Sequence, residues 1–207
     1  MRYLSVVAVM KDERENLVEW LDFHKGVGVE HFYLYDNEST DGTRDILQPY
    51  VEAGEVTYSY TTMDMCQMAC YYNALHAFND QSKWMAFIDL DEFLFSPIGD
   101  LKTTLQDYEQ FPGIAVNEVF FGSNGHISRP AGGVLKNYTM RREAVDKHVK
   151  SICQPMATLC SAHNPHSFVY TQGQPVNEMK EPCPGPFNDP GSADILRVNH
   201  YWGKSKE

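Results

Sequence analysis

Apolar and polar positions along the first half of the chain come in alternating blocks. Residues 3–10, YLSVVAVM, are apolar and β-branched and stop at KDERENL, which predicts a buried strand feeding the start of a helix. In ENLVEWLDFHKGVG, residues 15–28, Leu17, Trp20, Leu21 and His24 share one helical face, and Gly26 and Gly28 close the helix. A second strand opens EHFYLYDNESTDGT and breaks off in polar residues. A short helix follows in TRDILQPYVEAG, ending at Gly54, then a strand in EVTYSY, a helix in CQMACYYNALHAFND and a strand in WMAFIDL.

Strands apolar on both faces, alternating with helices, predict an α/β domain with a doubly wound, mostly parallel sheet flanked by helices. In such sheets ligands gather at the carboxyl ends of the strands. Three predicted strands end in polar clusters: MKDE at 10–13, YDNEST at 35–40 and DLDE at 89–92. Parallel strands would bring all three to one edge. Beyond residue 111 the pattern changes to segments rich in Gly, Pro, His and Asn, such as FFGSNGHISRPAGGV, SAHNPHSFVYTQGQP and EPCPGPFNDPGS, which read as a few strands joined by long loops, the kind that carry function.

Composition narrows the classes. With 207 residues, 43% hydrophobic and 22% charged, the chain suits a single globular domain. A net charge of −11 argues against a general nucleic-acid binder, which needs clustered Lys and Arg. An anionic substrate would then need a metal or a few placed cations. No apolar run approaches the roughly 20 residues that span a bilayer, and the N-terminus lacks a signal-peptide cleavage pattern. The five cysteines, Cys66, Cys70, Cys153, Cys160 and Cys183, fit no zinc spacing and read as reduced thiols in a cytosolic protein, with Cys66 and Cys70 on a core-facing helix side. The C-terminal VNHYWGKSKE begins like a strand and ends without a closing element, as an excised domain would.

The charged end of WMAFIDLDEFLF carries the most specific chemistry. On a continuing strand Asp89 and Asp91 would point the same way, and two close carboxylates resist joint ionisation unless a cation lies between them. Mg²⁺ or Mn²⁺ would supply it, since both favour oxygen ligands and Mg²⁺ keeps positions for substrate phosphates. The plainer reading is that Asp89 ends the strand and Asp91 and Glu92 cap a turn.

The ordered set KDERENLVEWLDFHKGVGVEHFYLYDNESTDGT, WMAFIDLDEFLF, FFGSNGH, HVKSI and NHYWGKS resembles glycosyltransferase family 92 and the related bacterial and viral GT-A glycosyltransferases, over nearly the whole chain. The resemblance implies a GT-A fold with a nucleotide-binding half, 1–110, and an acceptor-side half, 111–207. It also implies a UDP-sugar donor, a glycan acceptor and Mn²⁺ or Mg²⁺ at the D-x-D. By the same resemblance Lys11 and Glu13 lie beside the nucleotide, Asp36 faces the base, and Asp89 approaches the ribose and a metal-bound water. Asp91 ligates the metal, His200 is a further ligand, and Lys204 is a cation near the diphosphate.

Each residue has a structural alternative. Asp36 suits an Asx-turn, Glu13 suits a helix N-terminus, His200 suits a satisfied, partly buried histidine, and Lys204 suits a solvated tail. Inverting transfer needs a general base, for which Glu118, Asp146, His163, His166 and Asp194 are candidates. Glu118 is preferred because it precedes the glycine-rich loop. It could equally shape the acceptor pocket or be an exposed strand carboxylate. Arg141 and Arg142 suit either phosphate binding or a solvated edge. Three other functions compete. A glycoside hydrolase would flank the bond with its carboxylates, a nucleotidyltransferase would show a glycine-rich loop after the first strand, and a carbohydrate-binding module would be all-β.

Overall fold

The computed structural model describes residues 1–204. The first half follows the predicted alternation: β1 (Arg2–Met10), α1 (Leu17–Gly26), β2 (His31–Asn37), α2 (Thr43–Glu52), β3 (Val56–Thr61), α3 (Gln67–Ala77) and β4 (Ser82–Phe87). Then come β5 (Glu92–Phe95), α4 (Leu101–Gln106), β6 (Gly113–Phe120), α5 (Val134–Asn137), β7 (Val149–Cys153), β8 (Thr158–Ser161), β9 (Phe168–Tyr170) and β10 (Arg197–His200). The main sheet has eight strands in the order β3-β2-β1-β4-β7-β6-β10-β5, with β8 and β9 forming a separate hairpin. Strands β3, β2, β1 and β4 are parallel, β7 runs antiparallel to both β4 and β6, and β10 returns parallel to β6.

The two-residue period of β1 sorts the core into two layers. Leu4, Val6, Ala8 and Met10 pack with Leu17, Trp20 and Leu21 of α1 and Leu47 of α2 on one face. Val7 packs with Cys70, Tyr71, Ala74 and Leu75 of α3 on the other. Cys66 and Cys70 are therefore core thiols, and all five cysteines are free. Among the described residues no helix is long and apolar enough to cross a membrane.

The strand expected to run through residue 90 ends at Phe87. Glu92 N–H donates to the Asp89 carbonyl (3.1 Å), closing a turn that carries Leu90 into the core. The chain then leaves as β5, antiparallel to β10 at the far sheet edge. Asp89 and Asp91 thus sit on a turn, and the alternation rule for a continuing strand does not apply to them.

Edge strand β5 has its outer backbone covered by α1, which suppresses edge pairing. The Trp20 indole Nε1–H donates to the Glu92 carbonyl (2.8 Å), and Leu94 N–H donates to His24 Nε2 (3.1 Å). The other ring nitrogen, Nδ1–H, donates to the Trp20 carbonyl (2.8 Å). Both nitrogens are used by a neutral ring, and burial drives the His24 pKa from 6.5 down to about 3 despite the opposing bond to Trp20. The folded pKa lies below the unfolded one, so the stabilisation is complete above pH 6.5 and is lost as pH falls toward 3. A His24→Leu variant should lose roughly 1–3 kcal/mol by orphaning the Leu94 N–H. Its urea-measured stability should also fall less steeply between pH 6.5 and 4 than the parent's; equal slopes would remove this role from His24.

Candidate functional site

Because β7 is antiparallel to its neighbours, its start meets the carboxyl ends of β1, β2, β4, β6 and β10 at one sheet edge. There the loops after β1 and β2 hold each other. Asp12 N–H donates to Ser39 Oγ (2.9 Å), Thr40 N–H to Asp12 Oδ1 (2.7 Å), and Arg14 N–H to Asp41 Oδ2 (2.9 Å). Lys11 is exposed at this edge. Glu13 accepts from Asn16 Nδ2 (2.6 Å) and lies 4.0 Å from Lys204 Nζ, which brings Lys204 to the end of β1. Ser205, the last residue of NHYWGKS, lies outside the described residues. Asp36 is buried, with Ser39 N–H on Oδ1 (2.9 Å) and the Tyr58 hydroxyl on Oδ2 (2.7 Å), so the Asx-turn geometry is present and both oxygens already have a donor.

At the D-x-D turn the cation beside Asp89 is a lysine. Lys150 of β7, almost fully buried, lies 2.6 Å from Asp89 Oδ2 and 3.1 Å from Glu92 Oε1. Gln67 Nε2 donates to Asp89 Oδ1 (2.9 Å). Burial opposes the Lys150 charge, but Glu92 and Asp89 outweigh it and hold its pKa well above the usual lysine value. Glu92 is fully buried and accepts from Asp89 N–H (2.9 Å). Burial pushes its carboxyl up to about 8; Asp89 and Glu118 reinforce that rise, and Lys150 and His200 oppose it.

His200, at the end of β10, joins the remaining acids. Its Nε2 is 3.4 Å from Asp91 Oδ2, and its Nδ1 is 3.4 Å from both Glu118 Oε2 and Glu92 Oε1. Burial works to lower the His200 pKa, yet the bonds to Asp91 and Glu118 and the charge of Glu92 carry it up to about 10. Burial would raise Asp91 and Glu118, and His200 holds both below the usual carboxylate range. The Phe120 ring stacks on His200 with centroids 4.8 Å apart.

A divalent ion fits these donors. Ligand atoms of Asp91, Glu92 and His200 lie within 4.8 Å of one another. With Nε2 turned to an ion, Nδ1–H would donate to a carboxylate, the partner that metal-bound histidines usually have. Glu118 Oε1 is buried without a hydrogen bond, which leaves acceptor capacity behind the ring, while Glu92 Oε1 has Lys150 Nζ (3.1 Å) and His200 Nδ1 (3.4 Å) as charged neighbours. Asp89 stands outside this trio, because Lys150 and Gln67 occupy it.

Of these residues Asp89, Asp91, Glu118, Lys150 and His200 line a cleft of about 560 Å³, together with Asp146, His148, His166, Arg142 and the highly exposed Trp202. The base candidates fall in two groups. Glu118, beside His200, lines the cleft, as do Asp146 and His166. His163 is exposed on the β8–β9 loop, and Asp194 precedes β10 and so lies at the opposite sheet edge from His200. Arg142 lines the cleft; its neighbour Arg141 donates to the Arg142 carbonyl (3.0 Å). Lys150 and His148 are assigned no role from the sequence, and Glu92 only that of capping a turn. The signal present was HVKSI itself, a strand-like segment with a cation among apolar neighbours.

The family model described as glycosyltransferase family 92 matches residues 6–183. A glycosyltransferase family 92 protein of Oryza sativa subsp. japonica is 30% identical over 205 residues, covering 96% of this chain and 33% of that protein. Galactan beta-1,4-galactosyltransferase GALS2 of Arabidopsis thaliana is 30% identical over 112 residues, covering 47% of this chain and 21% of its own length. The chain thus spans about a third of the length of the first of these relatives. Among solved structures, S. aureus TarS 1–349 in complex with UDP aligns with a TM-score of 0.48 at 14% identity, covering 75% of this chain and 47% of that one.

Proposed function

The chain belongs to glycosyltransferase family 92, and from that premise we propose that it transfers a hexosyl group from a UDP-sugar to a glycan hydroxyl, with inversion, using a divalent metal. The observation that carries this reading is the meeting of Asp91 and His200 over buried Glu92 and Glu118 at the floor of an open cleft. Asp91 and His200 would hold the ion. When bound, Mn²⁺ or Mg²⁺ offsets the charge that grows on the diphosphate as the sugar leaves.

The nucleoside lies along the ends of β1 and β2, where Lys11, Glu13 and Asp36 are gathered. Lys204 adds a positive charge on the same side, and Asp89, held by Lys150, presents its exposed edge to the ribose. A nucleotidyltransferase is disfavoured because the loop after β1, KDEREN, contains no glycine to cradle a triphosphate. UDP-galactose is the first donor to test, since GALS2 is a galactan galactosyltransferase. Calorimetry should show UDP binding that Mn²⁺ strengthens by at least roughly tenfold, about 1.4 kcal/mol. A screen of UDP-sugars should then find metal-dependent hydrolysis of one donor. Metal-independent binding of free sugar without nucleotide affinity would refute the transferase reading.

A further inference from the structure

We propose that His148, held by Asp146, is the general base that takes the proton from the acceptor hydroxyl. This rests on the transferase reading above and identifies a residue of the same cleft.

The geometry fixes the tautomer. His148 Nδ1 lies 2.7 Å from Asp146 Oδ1, and the same oxygen accepts the His148 backbone N–H (3.0 Å). A carboxylate partner requires Nδ1 to donate, so the lone pair of the neutral ring is on Nε2. Among the described residues Nε2 has no hydrogen-bond partner, and the partly exposed ring lines the cleft. Asp146 is held in turn: its N–H donates to the Glu118 carbonyl (2.9 Å) and its carbonyl accepts from Asn117 Nδ2 (2.9 Å), both on β6. The Phe187 edge packs against the imidazole at a centroid distance of 4.9 Å. A carboxylate, an oriented imidazole and an open lone pair are what a base needs to take a proton and stabilise the resulting cation.

The other candidates lack one of these parts. Glu118 also lines the cleft, but it is almost fully buried and its Oε2 is engaged by His200 Nδ1 (3.4 Å), with no second carboxylate orienting it toward an acceptor. His166 donates Nδ1–H to a neutral carbonyl, that of Val149 (2.9 Å), with no carboxylate behind it. Burial and then Lys150 hold its pKa down. Trp202 and Phe120 on the same cleft offer aromatic surface for the apolar face of a sugar ring.

In the step itself the acceptor oxygen bonds to C1 of the donor sugar while the C1–O bond to the diphosphate breaks. The bonding pair leaves on the diphosphate oxygen. The hydroxyl proton moves to His148 Nε2, Asp146 meets the imidazolium charge, and the proton later passes to water in the open cleft. The charged and titratable groups around the dyad are Arg142, 3.9 Å from Asp146 Oδ2, Lys147 on the same segment, Glu118 of β6, Lys150 of β7 and His166 of the β8–β9 loop.

The test uses His148→Gln and Asp146→Asn in the intact chain, with transfer rates across pH and UDP–Mn²⁺ affinity by calorimetry. His148→Gln should lower kcat by roughly 10²–10⁴-fold and remove the fall in kcat/KM on the acid side, while UDP–Mn²⁺ affinity stays at the parent level and so reports an intact fold. Asp146→Asn should lower kcat by a smaller factor and shift the acid limb, which a merely structural residue would not do. A His148→Gln protein with the parent's kcat and pH profile overturns the assignment and leaves the transferase reading standing. So does a loss confined to acceptor KM, or a loss that follows His166→Gln instead. Absence of UDP–Mn²⁺ affinity in the parent overturns the transferase reading and the dyad with it.

Discussion

Asp91→Ala is expected to fold like the parent and to lose metal-strengthened UDP binding together with sugar transfer. The side chain sits on a solvent-reachable turn, and its contact is His200 Nε2 at 3.4 Å, so its removal opens no core cavity. The turn itself is held by backbone: Glu92 N–H on the Asp89 carbonyl and Tyr201 N–H on the Asp91 carbonyl (2.9 Å). Loss of an outer partner of a metal site typically costs about 10–100-fold in affinity, and a direct ligand should cost at least the upper end of that range. Asp89→Asn provides the contrast. Asp89 is paired with Lys150 and lies outside the Asp91, Glu92 and His200 group, so its substitution should weaken Mn²⁺ binding far less. Calorimetric Mn²⁺ titration with UDP present decides between them. Equal losses in both variants, or parent affinity in Asp91→Ala, would remove the assignment of the ion to Asp91 and His200.

The difference between these two aspartates marks where the sequence stops being legible. The first seven elements follow from block periodicity, because β1, β2 and β4 are largely buried on both faces and each helix shows one apolar side. His24 is read from that periodicity as a core-face residue, and it is one, down to the use of both ring nitrogens. The convergence of strand ends also follows from parallel order, and the clasp of Asp12, Ser39 and Thr40 realises it.

Long-range partners are a different matter. Like charges two residues apart do call for a cation, but nothing local says whether it is an ion or a side chain. Lys150 reaches Asp89 only because β7 inserts antiparallel beside β4, with Phe87 paired to Ser151, and a loop-rich second half gives no warning of that register. The same insertion delivers Asp146 and His148 to the cleft. Glu118 sits near the end of β6, but its surroundings are set by β10, which brings His200 to it from 82 residues away.

Lys150 gives the largest expected change in stability. It is almost fully buried between Asp89 and Glu92, and the same acids lie close to Glu118 and His200. Removing one member of a buried ion pair costs about 3–5 kcal/mol, mostly because the other is left charged and unpaired. Lys150→Met, similar in length and apolar, should therefore lower the unfolding free energy by about that amount. Neutralising the abandoned partner should return much of the loss, so Lys150→Met with Asp89→Asn is expected to be more stable than Lys150→Met alone, although Asp89→Asn destabilises the parent. The sign reversal follows from charge and not from packing, since neither substitution changes side-chain volume greatly. Urea denaturation of the four proteins measures the coupling. If the two substitutions simply add, the charge on Lys150 is not what Asp89 answers, and Asp89 would need another cation.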